Sequence, residues 1–244
     1  MRRFLLLLIV IAVGAGVGLW ITRPQTIEPE RFANLSGDAT KGEMVFWAGG
    51  CASCHVAPES TDKLVLAGGQ SFVSDFGTFK APNISTDSAG LGNWTLQNFA
   101  NAMLEGTSPE GSHYYPAFPY GSYARMTDGD VADLWAFMQT LPADATPSEP
   151  HDLAFPFSIR ASVGGWKLLF FGTDPVLDNP PSERGQYLVE ALGHCAECHT
   201  PRNILGALET SRWMAGAPNP SGKGRIPGLT PTQLSWSASD IAYY

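Results

Sequence analysis

The sequence is short of cysteine and of charge, and each shortage excludes a class of protein. Its 244 residues include only 4 cysteines, so a small scaffold held together by several disulfides is not expected. Charged residues make up 16%, and the formal net charge of -8 argues against nucleic-acid binding, because neutralising phosphates requires an excess of lysine and arginine. No nucleophile-elbow motif, phosphate-binding loop or dinucleotide fingerprint is present, so nothing indicates hydrolytic or group-transfer chemistry.

A long apolar run opens the chain. Arg2 and Arg3 precede an uncharged stretch from Phe4 to Ile21. At about 1.5 Å per residue its helix would be roughly 27 Å long, just enough to span the hydrocarbon of a bilayer. We expect residues 1–23 to be a retained transmembrane anchor, with a cleaved signal sequence as the alternative, and residues 24–36 to be a linker. In either case the remainder of the chain is exported.

All four cysteines lie in two copies of one motif, Cys-x-x-Cys-His, at residues 51–55 and 195–199. Disulfides within such short loops would restrain little chain, and Cys195 lies 144 positions after Cys51, which is far for a structural zinc site. A thioredoxin-like pair needs no following histidine. The motif instead predicts covalent attachment of c-type haem, in which two thiols one helical turn apart bond the porphyrin and the next histidine binds the iron.

The two motifs therefore predict two covalently attached haems c. Cys51 and Cys54 would hold the first, and Cys195 and Cys198 the second. His55 and His199 would be the proximal iron ligands. We interpret the remaining histidines, which are His113, His151 and His194, as surface or loop residues.

Similar segments follow each motif, which predicts a tandem repeat. The distance from His55 to Trp94 is 39 residues, and that from His199 to Trp236 is 37. We place a first module at residues 37–142, an inter-module segment at 143–181 and a second module at 182–244. The apolar island GWKLLFF (165–171) in the inter-module segment is expected to form a short helix packed within the protein. The alternatives are a position on the membrane or against a partner.

Methionine is the expected second axial ligand of a high-potential haem. Met126 ends an aromatic, proline-rich loop that can wrap the open haem face, whereas Met103 and Met138 lie in apolar helical runs typical of core packing. We therefore predict Met126 as the distal ligand of the first haem. Met214 lies only 15 residues after His199, and we interpret it as a core-packing residue.

Comparison with the first module predicts that the second is incomplete in this sequence. Met126 lies 32 residues after Trp94, and the same offset from Trp236 reaches position 268, beyond Tyr244. The expectation is that the native protein continues and supplies a distal ligand there. A five-coordinate second haem or an unusual ligand is the alternative.

Several longer strings resemble one family, the multihaem cytochrome c subunits of bacterial membrane-bound alcohol, aldehyde and sugar dehydrogenases. The strings are FKAPNISTD (79–87), GLGNWT (90–95), EGTSPEGSHYYPAFPYGSYARMTDGDVADLWAFMQTLP (105–142), FPFSIR with GWKLLFF (155–171) and RGQYLVEALGHCAECHTPRNILGAL (184–208). The resemblance implies an all-α fold, with an N-terminal transmembrane helix followed by two tandem class I cytochrome c modules, the second incomplete. It also implies a position on the bacterial inner membrane with the haem modules in the periplasm.

The function that follows is electron transfer rather than catalysis on a small molecule. The resemblance implies a membrane-bound redox partner, a dehydrogenase subunit, from which electrons pass toward quinone or the respiratory chain. The alternatives are a tethered shuttle that donates to a terminal oxidase or a photosynthetic centre, and a dihaem peroxidase. We expect some of a set of aromatic residues to pack the porphyrin: Phe76, Phe79, Trp94, Phe99, Tyr115, Phe118 and Tyr120. Arg125 and Arg202 are candidate partners of a haem propionate.

Overall fold

A computed structural model describes residues 1–220 and 222–243 of the chain. Ten α-helices are described in this part: Arg2–Ile21 (α1), Ala39–Ala48 (α2), Cys51–His55 (α3), Leu96–Glu105 (α4), Tyr120–Tyr123 (α5), Asp128–Met138 (α6), Ser162–Phe170 (α7), Glu183–Tyr187 (α8), Ala196–His199 (α9) and Ala238–Tyr243 (α10). Two short 3₁₀ turns and one π-helical turn at Leu188–Leu192 complete the helical part.

Two small antiparallel sheets correct the all-α expectation. The first joins Ser71–Ser74 (β1), Gly77–Lys80 (β2) and Asp152–Leu153 (β3), and the second pairs Ala217–Pro218 (β4) with Arg225–Ile226 (β5). The longest strand has four residues, too short for a period-two pattern to be distinctive. Helices still form most of the regular structure, and the two sheets are small additions to it.

The first helix, α1, is apolar and exposed along its whole length. None of its residues is buried, and its mean hydropathy over an 18-residue window is 2.7. By length and composition it can cross a membrane. The helix ends at Ile21, and the next residue, Thr22, caps it by donating from its backbone N–H and its hydroxyl to the carbonyl of Gly18.

The core of the first half forms where α2 crosses α6. Asp38 caps α2 by accepting from the N–H groups of Thr40 and Lys41. Thr127 caps α6 by accepting from the Asp130 N–H, which confirms the helix start that Thr127-Asp128-Gly129-Asp130 predicts. Around this crossing lie Phe46, Val131 and Leu134, all 2% exposed or less.

Gly42 makes the close approach of α2 and α6 possible. A Cβ added at Gly42 would lie 1.9 Å from the carbonyl oxygen of Asp133, a distance that no real contact allows. The two backbones therefore touch at a position where only a hydrogen fits.

Replacement of Gly42 by alanine is expected to destabilise the protein by roughly 3 kcal/mol, the upper end for overpacking, because the helices must separate. The midpoint of urea denaturation, followed by far-ultraviolet circular dichroism, measures the loss. Gly185 is the matched control in the second module, since a Cβ there meets only Ser182, at 3.3 Å. Equal destabilisation by the two alanine variants would contradict this account.

The expected linker packs on the first module instead of running free. Ile27 and Phe32 are 6% and 4% exposed. The Ile27 N–H donates to the Asn101 side-chain oxygen at 2.9 Å, and the Gln97 amide donates to the Ile27 carbonyl at 2.8 Å. The body of the protein is thus fixed close to the end of α1.

A buried carboxylate anchors the inter-module segment. Glu190 is 2% exposed and accepts from the backbone N–H groups of Val176 and Leu177 at 2.8 and 3.0 Å. Arg125 donates to the Asp174 carbonyl from the other side, at 2.9 and 3.0 Å. The segment is thereby held between side chains from both halves of the chain.

Candidate haem sites

The first Cys-x-x-Cys-His motif forms a single helical turn, α3. Gly50 precedes it with a φ of 65°, a conformation that favours glycine. Cys51 and Cys54 lie about one helical turn apart in α3, which ends at His55. The Nδ1 of His55 donates to the Pro82 carbonyl at 2.9 Å, because a carbonyl oxygen can only accept. The lone pair of Nε2 is therefore free for a metal.

The electrostatics of this turn suit a neutral imidazole at His55 and a neutral thiol at Cys51. Burial lowers the pKa of His55 and raises the pKa of Cys51 to about 12. Redox-active and zinc-binding Cys-x-x-Cys pairs need the opposite shift of the thiol pKa, because the thiolate is the reactive form. No disulfide is formed by the four cysteines. Within residues 1–220 and 222–243, no three His, Cys, Asp or Glu side chains gather as a metal site.

The second motif repeats this geometry in detail. His199, at the end of α9, donates from Nδ1 to the Pro227 carbonyl at 2.8 Å. The backbone carbonyls of His55 and His199 each accept from a glycine N–H at 2.7 Å, from Gly68 and Gly216. These glycines have φ values of 76° and 78° and lie against backbone that leaves no room for a Cβ. Side chain and main chain thus hold both histidines in the same way.

The correspondence extends along the following segments. Ile84 donates its N–H to the Leu66 carbonyl, and Leu229 donates to that of Met214, so Met214 occupies the position of an ordinary apolar residue. The Thr95 and Asn98 side chains and backbone exchange hydrogen bonds at the start of α4. Ser237 and Asp240 make the same reciprocal pair before α10.

These donor sets fit c-type haem. Each motif has two thiols about one helical turn apart and a histidine whose Nε2 is available for iron. A backbone carbonyl accepts from the Nδ1 of that histidine and so orients the imidazole ring. Cys51 lies against the same buried cluster as Ala52 and Val56, so the turn borders an apolar environment of the kind a porphyrin requires. Bound haem supplies an iron centre that accepts and releases one electron.

Met126 belongs to that same buried cluster and is 4% exposed. Its loop is tied to the first motif, because the Tyr123 hydroxyl donates to the Gly49 carbonyl at 2.7 Å and the Met126 N–H donates to the Tyr123 carbonyl. Met103 and Met138 are equally buried but lie within α4 and α6. The assignment of Met126 as distal ligand stays a prediction, since burial alone does not separate the three methionines.

The candidate aromatic residues divide into two groups. Trp94, Phe99 and Phe118 belong to or pack against the cluster that borders Cys51. The others contact different parts of the protein: Phe76 packs on Phe157, Phe79 on Tyr115 and His151, and Tyr120 on Phe171. The first group therefore borders the attachment turn at Cys51, and Tyr120 reaches this group only through its contact with Phe118.

The two arginines suggested as propionate partners are already bonded to protein. Arg125 donates to the Gly121 carbonyl at 2.6 Å as well as to Asp174. Arg202 donates to the Gly206 carbonyl at 2.7 Å and forms an ion pair with Glu197. A propionate role for either side chain stays a prediction.

The two motifs touch each other, a feature that the sequence did not reveal. The His194 Nε2 donates to the Gly49 carbonyl at 3.2 Å, and the His194 ring packs edge-on against Tyr123 with centroids 5.6 Å apart. The Ser122 hydroxyl donates to Glu197 at 3.4 Å. His194 therefore belongs to an interface between the two attachment turns, where loop exposure was expected. No local pattern could have shown this, because the partners lie 145 residues apart.

Comparison with known proteins agrees with this geometry. The sequence profile of the family described as Cytochrome c matches residues 39–142. A protein of Cereibacter sphaeroides named "Diheme cytochrome c-type" is 55% identical, over 97% of this chain and 82% of its own length. The chain therefore belongs to the cytochrome c family, and it binds two c-type haems.

Two further relatives are cytochrome subunits of dehydrogenases. The fructose dehydrogenase cytochrome subunit of Gluconobacter japonicus is 39% identical over 91% of this chain. The cytochrome c subunit of alcohol dehydrogenase (quinone) of Gluconobacter oxydans is 37% identical over 67% of it. The chain spans 47% and 35% of the lengths of these two relatives.

Proposed function

We propose that this protein is a membrane-anchored dihaem cytochrome that carries single electrons as the electron-transfer subunit of a membrane-bound dehydrogenase. The observation that carries this proposal is the pair of attachment turns that pack directly against each other through Gly49 and His194. Two redox groups held on turns that pack against each other favour transfer of electrons within the chain. A carrier needs such a path, whereas a catalyst would need an open substrate site beside one group.

Each proposed ligand has a defined task. Cys51 and Cys54 bind the first haem, Cys195 and Cys198 bind the second, and the four thioether bonds prevent loss of haem from an exported protein. His55 and His199 bind iron through Nε2, and the carbonyls of Pro82 and Pro227 orient their rings and raise their basicity. The Met126 sulfur favours the reduced iron of the first haem.

The proposed location is the bacterial inner membrane, with the haem modules in the periplasm. The length, apolarity and complete exposure of α1 support a retained anchor, and Arg2 and Arg3 at its start favour a cytoplasmic N-terminus. We propose the first module at residues 37–142 and the second at 182–244. A tandem pair is supported by the repeated histidine–carbonyl and glycine–carbonyl hydrogen bonds.

The proposed partner is a dehydrogenase subunit rather than a terminal oxidase. This choice rests on the names of the relatives, which include cytochrome subunits of fructose, alcohol and gluconate dehydrogenases. Their different substrates indicate that the substrate is set by the partner, because a cytochrome of this kind contacts the partner protein and not the small molecule.

The test is to solubilise the tagged, full-length protein from its native membranes in mild detergent. The complex is then separated on a native gel stained for haem, and the co-migrating proteins are identified by mass spectrometry. A flavin- or quinone-cofactor dehydrogenase at one copy per cytochrome is the expected result. Migration alone, or with an oxidase or photosynthetic complex, would make the protein a tethered shuttle. Turnover of hydrogen peroxide by the isolated protein would favour the peroxidase alternative.

A further inference from the structure

The inter-module helix α7 lies against the end of the membrane helix. A Cβ added at Gly164 would be 2.1 Å from the carbonyl oxygen of Thr22, so the two backbones are in contact there. The same Thr22 carbonyl accepts from the His113 Nε2 at 2.8 Å, and His113 is 5% exposed. Thr22 is the first residue after α1. Gly164 also approaches the His113 Nε2, to 2.8 Å from an added Cβ, so α7 packs on both Thr22 and His113 at the level where the anchor would leave the bilayer.

Only the inner side of α7 is used in this packing. Val163 and Gly164 are buried, whereas Leu168 and Leu169 are 66% and 69% exposed. At about 100° per residue, Leu169 points roughly opposite to the face that carries Val163 and Gly164. Leu168 lies at the edge, where it lines a cleft together with Ile21, at the end of α1. Ile159, just before the helix, is 48% exposed.

The outer side of α7 also lacks charge. Its sequence, SVGGWKLLF, contains no acidic residue, and Lys167 is its only basic one. The Lys167 ammonium points into the protein, where it donates to the carbonyls of Glu105 and Gly106. What remains exposed is an apolar strip, which is stable in the headgroup and upper acyl region of a bilayer but costly in water.

We propose that the outer face of α7, formed by Leu168 and Leu169 with Ile159 beside it, lies in the interfacial layer of the same bilayer that α1 spans. This inference rests on the proposed membrane anchor. We assign lipid as the partner of this face because α7 packs on Thr22, the residue that follows α1. This contact places α7 at the surface of the bilayer that α1 would span. Trp20 and Arg23 mark that height: the Arg23 guanidinium lies 4.9 Å from the centroid of the Trp20 ring, and the Trp20 carbonyl accepts from Arg23.

The consequence is that the haem-binding body touches the membrane at two places. A single helix leaves the body free to rotate about the membrane normal and to tilt. A second, interfacial contact through α7 removes tilt, because the contacts to Thr22 and His113 join α7 to both the anchor and the first module. The body would therefore present one constant side to a partner that sits in the same membrane.

Single-cysteine accessibility tests this proposal, because haem attachment consumes all four native thiols. Cysteine is introduced in place of Leu169, and the haem-loaded, full-length protein is placed in nanodiscs of phosphatidylcholine and phosphatidylglycerol. The rate of reaction with a water-soluble maleimide is then measured. Leu169→Cys is expected to react at least ~10-fold more slowly than a freely hydrated site, because the reaction needs a solvated thiolate.

Met44→Cys is the matched control, because Met44 lies on α2, is apolar and is 67% exposed. Val10→Cys, within α1, tests the anchor itself. Protection at Val10 with equal rates at positions 169 and 44 would overturn the inference and leave the anchor intact. Rapid labelling at Val10 would overturn the anchor and the inference together. Protection of position 169 in native membranes but not in nanodiscs would identify a protein, and not lipid, as the occupant.

Discussion

Replacement of Met126 by leucine is expected to lower the reduction potential of the first haem by roughly 0.2 V, about a quarter of the ~0.8 V range set by axial ligands. Methionine sulfur stabilises ferrous iron, and leucine offers no lone pair. Leucine preserves the volume of a side chain that is 4% exposed, so the fold is retained. Spectroelectrochemical titration measures the potential, and loss of the sulfur-to-ferric-iron charge-transfer band reports the missing bond.

Met138 is the control for this experiment. It is 2% exposed and belongs to the same buried cluster, so Met138→Leu removes an equally buried sulfur without removing the proposed ligand. The potential and the charge-transfer band should be those of the unmodified protein. An unchanged band in the Met126 variant, with loss of the band in the Met138 or Met103 variant, would show that the sequence argument chose the wrong methionine.

Replacement of Cys195 and Cys198 together by alanine is expected to reduce covalently bound haem from two per chain to one. No thiol then remains in the second motif to form thioether bonds. The first motif has its own thiols, its own glycine–carbonyl contact and the main buried cluster of the protein, so it should still be loaded. Intact-protein mass spectrometry and the pyridine haemochrome spectrum give the haem number.

The reciprocal variant, with Cys51 and Cys54 replaced by alanine, separates the two sites. It should also retain one haem, attached through Cys195 and Cys198. Two haems in either double variant would contradict covalent attachment at the motif altered. Loss of both haems from the Cys195/Cys198 variant would instead indicate that loading of the two sites is coupled through the contact between Gly49 and His194.

The strongest sequence predictions concern chemistry that depends on neighbouring residues. Thiols at positions i and i+3 with a following histidine form a haem-binding turn by local geometry alone, and both turns are helical in the structure. The N-cap of α6 could also be predicted from the sequence, because Thr127 and Asp130 interact within one helical turn. The small sheets were missed because no strand exceeds four residues among those described. The pairing of β3 with β2 also joins residues more than seventy positions apart.

The sequence by itself determined the haem number, because that number follows from the count of Cys-x-x-Cys-His motifs. It also predicts the attachment and proximal residues, the tandem repeat and the apolar anchor segment, because each depends on spacing or on composition along the chain. Only the tertiary structure decided what these parts contact. It set His194 against Gly49, joined Thr22 to His113 and Gly164, and turned Leu169 outward from α7. These contacts depend on backbone approaches and buried hydrogen bonds between distant segments, which no local pattern encodes.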